Sequence, residues 1–203
     1  MASFHLLSAG YGGGRVASTV SLVESGTSVV IIDPGMVSST SVILDPIRAL
    51  GHDPHDVTDV VLSHHHPDHT INVALFPNAR VHDHWAIYKD DSWTARPAEG
   101  FEVATDVVLW ETPGHTAQDI TTIVRDGEDI LALTHLWWYE AAPYDDPLST
   151  DPAGLHAGRE RVLELATLTI GVPAFGTCTV PRHVGSDRTS TLRLRASRGP
   201  SSR

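Results

Sequence analysis

The feature that most constrains this sequence is a short apolar run leading directly into histidines and an aspartate, Val60-Val61-Leu62-Ser63-His64-His65-His66-Pro67-Asp68-His69. Residues 60–62 predict a buried strand, because the run is apolar, bounded by polar residues and too short for a helix. A sheet fixes the origin of the loop that follows a strand, and functional side chains concentrate in such loops. The sequence therefore predicts a functional loop that begins at Ser63.

The spacing of side chains in this loop favours a metal site. His64 and His66 are two residues apart and point the same way in extended backbone. Pro67 fixes its own φ and helps turn the chain, so Asp68 and His69 can face the same point. Imidazole and carboxylate groups are ligands suited to zinc, iron or manganese. A histidine-rich tract can be an incidental surface loop, but His-x-His-x-Asp-His after an apolar strand predicts metal binding.

The same motif resembles the signature of the metallo-β-lactamase-fold hydrolases, and the resemblance covers about residues 5–176. Within that superfamily, Leu75-Phe76-Pro77-Asn78-Ala79 and the run from Thr112 to Asp119 are most similar to the metallo-β-lactamase domain-containing protein 1 type. The resemblance implies an α/β (α+β) fold, the four-layer αβ/βα sandwich. The order of elements predicts the same arrangement, because strands and a helix are followed by strands and a helix again.

Helices are predicted where apolar residues recur at helical spacing beside a capping residue. Residues 38–51 place apolar side chains on one face and end at Gly51, a favourable helix stop. Residues 152–167 form the strongest helical pattern, with Asp151 as the cap and a broad apolar face. A short helix is also expected over residues 70–76.

Strands are predicted where β-rich runs lie between turn residues. Residues 16–23 and 27–32, separated by Glu24-Ser25-Gly26, predict a hairpin, and Asp126-Gly127 predicts the turn of a second one. Residues 90–100 are polar and aromatic, which favours a loop over one edge of the site. The other expected strands cover residues 80–87, 103, 107–109, 120–124, 130–133 and 170–173.

Length and composition favour one domain, residues 1–180, followed by a basic, disordered tail at 181–203. The chain has 203 residues and 41% hydrophobic residues, enough for a core, and no apolar stretch long enough to span a membrane. Its first residues lack the pattern of a secretory signal. The single cysteine, Cys178, excludes an internal disulfide and favours a cytoplasmic location.

The distribution of charge bears on the partners of the chain. The net charge is -11, but the tail holds six arginines, so residues 1–180 carry 8 basic and 24 acidic groups. Such a body repels polyanions, which makes a small-molecule substrate the expected partner and disfavours nucleic acid. The oligomeric state is left open by the sequence.

The resemblance also implies further site residues. His115 follows the turn Thr112-Pro113-Gly114 and matches the family's third histidine ligand, which would complete a three-nitrogen site with His64 and His66. Asp68 and His69 would begin a second site. From the residues alone, Asp33 in Asp33-Pro34-Gly35 is a turn residue or helix cap, whereas the family uses this aspartate to support the metal site.

Two positions depart from the family pattern. Many members place a bridging aspartate where this sequence has His135, which can bind one cation but brings no negative charge. The family's final histidine is replaced by Phe175, which cannot bind a metal. One tightly held zinc ion is therefore expected, with a second one uncertain and iron or manganese as alternatives.

These observations predict a metallohydrolase. A metal-bound hydroxide would attack an ester, thioester, amide or lactam, or phosphodiester bond, and Asp68 would orient the nucleophile or move its proton. An endoribonuclease of the same fold and a non-catalytic metal-binding protein are the alternatives, the latter because of His135 and Phe175. Five aromatic residues are candidates for the wall of the pocket: Trp85, Trp93, Trp137, Trp138 and Tyr139. The fold serves many substrates, so the sequence does not identify the one used here.

Overall fold

The structure is a computed structural model, and it describes residues 1–137 and 143–171. Within these ranges one sheet contains seven strands in sequence order. The inner strands β3, β4 and β5 are parallel, and the flanking strands pair antiparallel. Its strands are β1 (Ala2–Ser8), β2 (Val20–Ser25), β3 (Ser28–Ile32), β4 (Asp59–Val61), β5 (Arg80–His82), β6 (Ala86–Lys89) and β7 (Ser92–Ala95).

A second sheet contains five strands in the order β12-β11-β10-β9-β8, counted over the same described ranges. The strands β8 to β11 are antiparallel to their neighbours, and β12 runs parallel to β11. Its strands are β8 (Glu102–Ala104), β9 (Val107–Glu111), β10 (Ile120–Asp126), β11 (Asp129–Thr134) and β12 (Leu168–Gly171). The predicted hairpin between β10 and β11 is confirmed.

In the described part of the chain, three α-helices lie between these strands: α1 (Ser41–Ala49), α2 (Pro67–Thr70) and α3 (Pro152–Leu165). The helix α1 ends before Gly51, whose φ of 91° suits glycine and turns the chain toward β4. The helix α3 begins as predicted, because the side chain of Asp151 accepts a hydrogen bond from the backbone N–H of Gly154. No helix in the described part of the chain is long and apolar enough to cross a membrane.

The first sheet is apolar on both faces because it is covered on both sides. One face packs against the second sheet, and the other packs under α1, whose buried residues are Ile43 and Ile47. Alternation along the strand explains this division, since Val30 and Ile32 belong to the inner cluster and Val29 and Ile31 to the outer one.

The second sheet is covered on its outer face by α3. Leu155 and Val162 of this helix join Ile123 and Ala132 of the sheet in one buried cluster. The layers are therefore helix, sheet, sheet and helix, and the expected αβ/βα sandwich is confirmed.

Three local expectations were wrong. The helix expected over residues 70–76 is instead α2, which starts inside the motif because Pro67 is favourable at a first helical position, followed by a 3-10 turn at Val73–Leu75. The strand expected over residues 80–87 is two antiparallel strands, β5 and β6. They are separated because the carboxylate of Asp83 accepts hydrogen bonds from the N–H groups of Trp85 and Ala86 and closes a turn. The loop expected over residues 90–100 contains β7, which pairs with β6.

A buried ion pair on the inner face of the first sheet leads to a stability prediction. Asp59 is fully buried and accepts hydrogen bonds from Arg80 Nε at 2.8 Å and from His82 Nε2 at 2.7 Å. Burial alone would raise the pKa of Asp59, but the hydrogen bonds from His82 and Thr58 and the charges of His82 and Arg80 lower it.

We expect Asp59→Ala to lower the free energy of unfolding by about 3 kcal/mol, because it leaves two polar partners without their acceptor. Urea unfolding of the metal-free protein would measure this. Asp45→Ala is the control, since Asp45 is exposed and pairs with the exposed Arg48, and its effect should stay within about 0.5 kcal/mol. Equal effects of the two changes would contradict the prediction.

Candidate metal centre

The predicted site residues lie where strands of both sheets end at the same edge of the sandwich. The histidine motif follows β4, His115 follows β9 and His135 follows β11. The backbone N–H of Ile120, the first residue of β10, donates to the carbonyl oxygen of Ser63 at 2.9 Å. This hydrogen bond joins the loop of the first sheet to the second sheet at the site.

The structure brings together the three histidines predicted to form the first site. The Nδ1 atom of His66 lies 3.0 Å from Nε2 of His64 and 3.0 Å from Nε2 of His115. Two nitrogen ligands of a tetrahedral zinc ion, each bonded at about 2.0–2.1 Å, lie roughly 3.3–3.4 Å apart. The observed separations therefore fit ligands of a common metal ion.

His135 lies in the same cluster. One ring nitrogen from each of His64, His115 and His135 lies within 4.8 Å of the others, an arrangement that could hold a metal ion. The ring centroid of His135 is 4.5 Å from that of His64 and 5.0 Å from that of His69. The sequence placed His135 with Asp68 and His69, whereas the structure places it between that pair and the first three histidines.

Asp68 and His69 form a pair beside this cluster, and Asp33 anchors it. Asp68 Oδ2 is 3.3 Å from Nε2 of His69, and Asp33 Oδ2 is 3.0 Å from Nδ1 of the same ring. The other carboxylate oxygen of Asp33 accepts a hydrogen bond from the N–H of Ser63 at 2.7 Å. Asp33 thus fixes both the start of the loop and the orientation of His69, while its φ of 52° makes it a turn residue as well.

The electrostatics of the cluster suit metal ligands. Burial, together with the neighbouring imidazoles, lowers the pKa of His64, His115 and His135, so these rings are neutral at pH 7 and their lone pairs can bind a metal. Burial would also lower the pKa of His69, but the carboxylates of Asp33 and Asp68 raise it to about 9. The residues present therefore fit a divalent metal held mainly by neutral nitrogen ligands.

The orientation of His115 depends on groups that sequence reasoning did not assign. Its Nδ1 lies 3.2 Å from the carbonyl oxygen of Leu148, a contact that places the ring proton on Nδ1 and the lone pair on Nε2. Asp119, buried beneath this loop, accepts a hydrogen bond from the N–H of Thr116, and burial raises the pKa of its carboxyl group to about 6. Asp119 lies in the run from Thr112 that carried the resemblance, but its spacing gave no indication of this contact.

Of the other residues considered in the sequence, the aromatic candidates in the described part of the chain and the histidines at 82 and 84 lie outside the histidine cluster. Trp137 is buried against α3, where it lines a cavity with His156 and Arg159, whereas Trp85 and Trp93 are exposed. His82, Asp83 and His84 form a second histidine-rich triplet in the sequence. It is not part of the cluster, since His82 binds Asp59 and Asp83 binds His65. The predictions for Trp138, Tyr139, Phe175 and the tail 181–203 fall outside the described residues, as does the end of the strand predicted over 170–173, of which β12 contains residues 170 and 171.

Comparison with protein families decides the classification. The family model described as the metallo-β-lactamase superfamily matches residues 13–178, most of the chain. The chain belongs to the metallo-β-lactamase superfamily. This superfamily consists mainly of metal-dependent hydrolases, and the histidine cluster lies within the matched residues.

Curated relatives bear out the expected similarity to the metallo-β-lactamase domain-containing protein 1 type. The human metallo-β-lactamase domain-containing protein 1 is 30% identical over 176 residues, which cover 82% of this chain and 64% of the human protein. The mouse protein of the same name is 28% identical over 169 residues, covering 78% of this chain and 64% of the mouse protein. An uncharacterized Caenorhabditis elegans protein is 32% identical over 118 residues, covering 55% of this chain and 33% of that protein. The chain thus spans less than two thirds of these relatives.

Solved structures share the fold of this metallo-β-lactamase superfamily member. A Thermotoga maritima protein assigned to the metallo-β-lactamases is 20% identical, with a TM-score of 0.69, covering 89% of this chain and 99% of that one. AidC, a dizinc quorum-quenching lactonase, is 18% identical with a TM-score of 0.57, covering 83% and 80% of the two chains. A protein solved in a di-iron-bound form is 23% identical with a TM-score of 0.61, covering 86% and 94%.

Proposed function

We propose that this chain is a metal-dependent hydrolase of small molecules, with His64, His66 and His115 around a zinc ion that keeps a fourth position open, and with His135, Asp68 and His69 beside it. The observation that carries the proposal is the convergence of these imidazoles from both sheets, at separations that fit a common ion. A divalent metal bound there would polarise the oxygen of a substrate and acidify a water molecule.

The side chains of this chain would supply the remaining functions. Burial alone would raise the pKa of Asp68, but the hydrogen bond and charge of His69 lower it to about 2, so Asp68 is ionised at neutral pH. Its side chain is 24% exposed, which lets it orient a water molecule and accept a proton from it. His69 is fully buried between Asp68 and Asp33 and holds the catalytic carboxylate in place.

The metal content we propose is one tightly bound zinc ion and a weaker second site. A neutral imidazole at His135 brings no negative charge to offset that of a second cation, unlike a bridging carboxylate. The dizinc and di-iron centres of the structural neighbours leave iron as the alternative metal. We further propose a cytoplasmic location, which the single cysteine supports.

The proposed reaction is hydrolysis of an ester, thioester, amide or lactam, or phosphodiester bond. The acidic character of residues 1–180 argues against an endoribonuclease, because RNA would meet a repulsive field. His135 motivates a second candidate, a metal-binding protein that does not turn over substrate, since a histidine stands where many relatives have a bridging carboxylate.

Metal analysis combined with a hydrolase screen separates these possibilities. The 203-residue chain would be purified, its metal content measured by mass spectrometry, and its activity tested on esters, thioesters, lactams, lactones and RNA. We expect about one zinc per chain and hydrolysis of a small molecule that is lost when a chelator removes the metal. Full zinc occupancy with no hydrolysis in any class would instead favour the binding protein.

A further inference from the structure

The structure holds an exposed tryptophan against His65, a residue of the loop that carries the proposed metal ligands. Trp85 lies in the turn between β5 and β6, and 46% of its surface is exposed. Its ring centroid is 5.1 Å from that of His65 and 5.8 Å from that of His84. An exposed indole leaves a large apolar surface in water. Tryptophan combines an apolar ring with a polar N–H group and is enriched at binding surfaces.

We propose that Trp85 forms the apolar wall of the substrate site, and that the substrate carries a flat aromatic group next to the group that the metal centre binds. This inference rests on the proposed function, because it assigns the substrate class of the same site. It is carried by three features of Trp85: its rigid attachment, its link to the ligand loop and its exposure together with that loop.

The backbone of Trp85 is held from both sides. Its N–H donates to Oδ1 of Asp83 at 2.7 Å, and its carbonyl oxygen accepts a hydrogen bond from the N–H of Arg96 at 2.9 Å. Asp83 is buried and also accepts a hydrogen bond from the N–H of Ala86 at 2.8 Å. The indole is therefore presented by a fixed turn, which lowers the entropy lost when a ligand binds against it.

The same carboxylate ties Trp85 to the loop that carries the proposed ligands. The Oδ2 atom of Asp83 lies 3.0 Å from Nε2 of His65 and accepts a hydrogen bond from the hydroxyl of Tyr88 at 2.8 Å. His65 stands between His64 and His66, two members of the cluster. One buried aspartate therefore holds both the turn of Trp85 and the side chain of His65 in the metal loop.

Trp85 and the part of the metal loop that it contacts are both exposed to solvent. His64 is buried, whereas His65 and His66 are exposed, so this part of the loop is the open side of the cluster. A molecule that reaches the cluster past His65 would meet the indole, whose face can stack on a flat apolar group. Stacking of two aromatic groups typically changes an affinity by up to about tenfold beyond area burial.

Trp93 provides a matched control, because it is a second exposed tryptophan away from this loop. It lies on the edge strand β7, is 67% exposed and packs its ring 5.8 Å from that of Tyr88. Removing either side chain takes away an exposed indole, so a difference between the two variants reports position and not loss of a tryptophan in general.

The test measures binding of two carboxylates to the zinc-loaded protein by isothermal titration calorimetry. Acetate supplies only the metal-binding group, and 2-naphthoate adds a flat aromatic group. We expect the wild-type protein to bind 2-naphthoate more tightly than acetate. Trp85→Ala should reduce the ratio of the affinity for 2-naphthoate to that for acetate about tenfold, with the affinity for acetate unchanged. Trp85→Phe should retain most of the ratio, and Trp93→Ala all of it. Zinc content and melting temperature would show that each variant is folded.

Equal affinities of wild type for the two ligands, no binding of 2-naphthoate, or equal losses in Trp85→Ala and Trp93→Ala would each overturn the proposal. These results are distinguishable from failure of the proposed function, because the measurement requires a bound metal but no turnover. If the wild-type protein hydrolyses nothing but prefers 2-naphthoate, and Trp85→Ala removes that preference, the aromatic subsite is supported and the hydrolase activity is not.

Discussion

Replacing His64 by alanine is expected to lower zinc affinity more than any other single change in the cluster. His64 is 1% exposed, its Nε2 lies 3.0 Å from Nδ1 of His66, and its ring contacts those of His69, His115 and His135. It is the central ring of the proposed site. The loss should exceed the roughly 10–100-fold typical of groups that only support a ligand, and hydrolysis should disappear with the metal.

The measurement is zinc affinity by competition with a chromophoric chelator, followed by assay of the substrate found in the screen. His55→Ala is the control, because His55 is an exposed histidine whose Nδ1 contacts Asp53 in the loop before β4. It should bind zinc as wild type does. The proposed metal site would be wrong if His64→Ala retained wild-type zinc affinity, and circular dichroism would show whether the variant is folded.

The strand and the loop of the motif could be predicted because their causes are local. Residues 60–62 are apolar since β4 is covered on both faces, and the spacing of His64, His66 and Asp68 follows from the loop that leaves this strand. The helix at α3 was equally predictable, because its cap and its apolar face lie in one continuous segment.

The spacing of residues in the sequence could not show that His115 and His135, which follow strands of the second sheet, lie beside the histidine motif that follows β4. His115 and His135 reach His64 only because the two sheets pack face to face and the hydrogen bond from Ile120 to Ser63 aligns their edges. Such contacts join residues more than 50 positions apart. Family resemblance supplied His115, while the position of His135 between the two groups of ligands came from the structure.

The strand β7 was missed for a different reason. Its residues Ser92–Ala95 are exposed throughout, because the strand lies at the edge of the sheet and carries no buried face. Alternation of apolar and polar residues marks a strand only when one face is buried. The same limit hid the position of Trp85, whose place beside the metal loop is set by the buried Asp83 and not by a pattern around it.

Gly35 lies in a turn that the sequence predicts, but its close contact with the metal loop could be seen only in the structure. Asp33-Pro34-Gly35 predicted a turn, but the structure places Gly35 directly against the backbone of the metal loop. A Cβ atom at Gly35 would lie 1.5 Å from the carbonyl oxygen of Asp68 and 2.6 Å from Cα of His69. That carbonyl also accepts hydrogen bonds from the N–H groups of Ser18 and Met36, so it cannot move without breaking them.

Gly35→Ala is therefore expected to lower the free energy of unfolding by about 5 kcal/mol, among the largest effects of a single substitution. The backbone at Asp68 would have to move by roughly 2 Å, and a close-packed interior has no space to absorb such a shift. Urea unfolding of the metal-free protein measures the effect separately from any loss of metal. Zinc affinity should fall as well, because Asp68 and His69 are carried on the displaced segment.

Gly14→Ala is the matched control for this prediction. A Cβ atom at Gly14 would have no heavy atom within 4 Å, so the same chemical change there should alter the free energy of unfolding by no more than about 0.5 kcal/mol. If Gly35→Ala were as stable as Gly14→Ala and bound zinc normally, the close approach of the Asp33–Gly35 turn to the metal loop would not matter. In that case the loop would accept the added methyl group without losing the 3.0 Å contact between Asp33 and His69, and the prediction would be wrong.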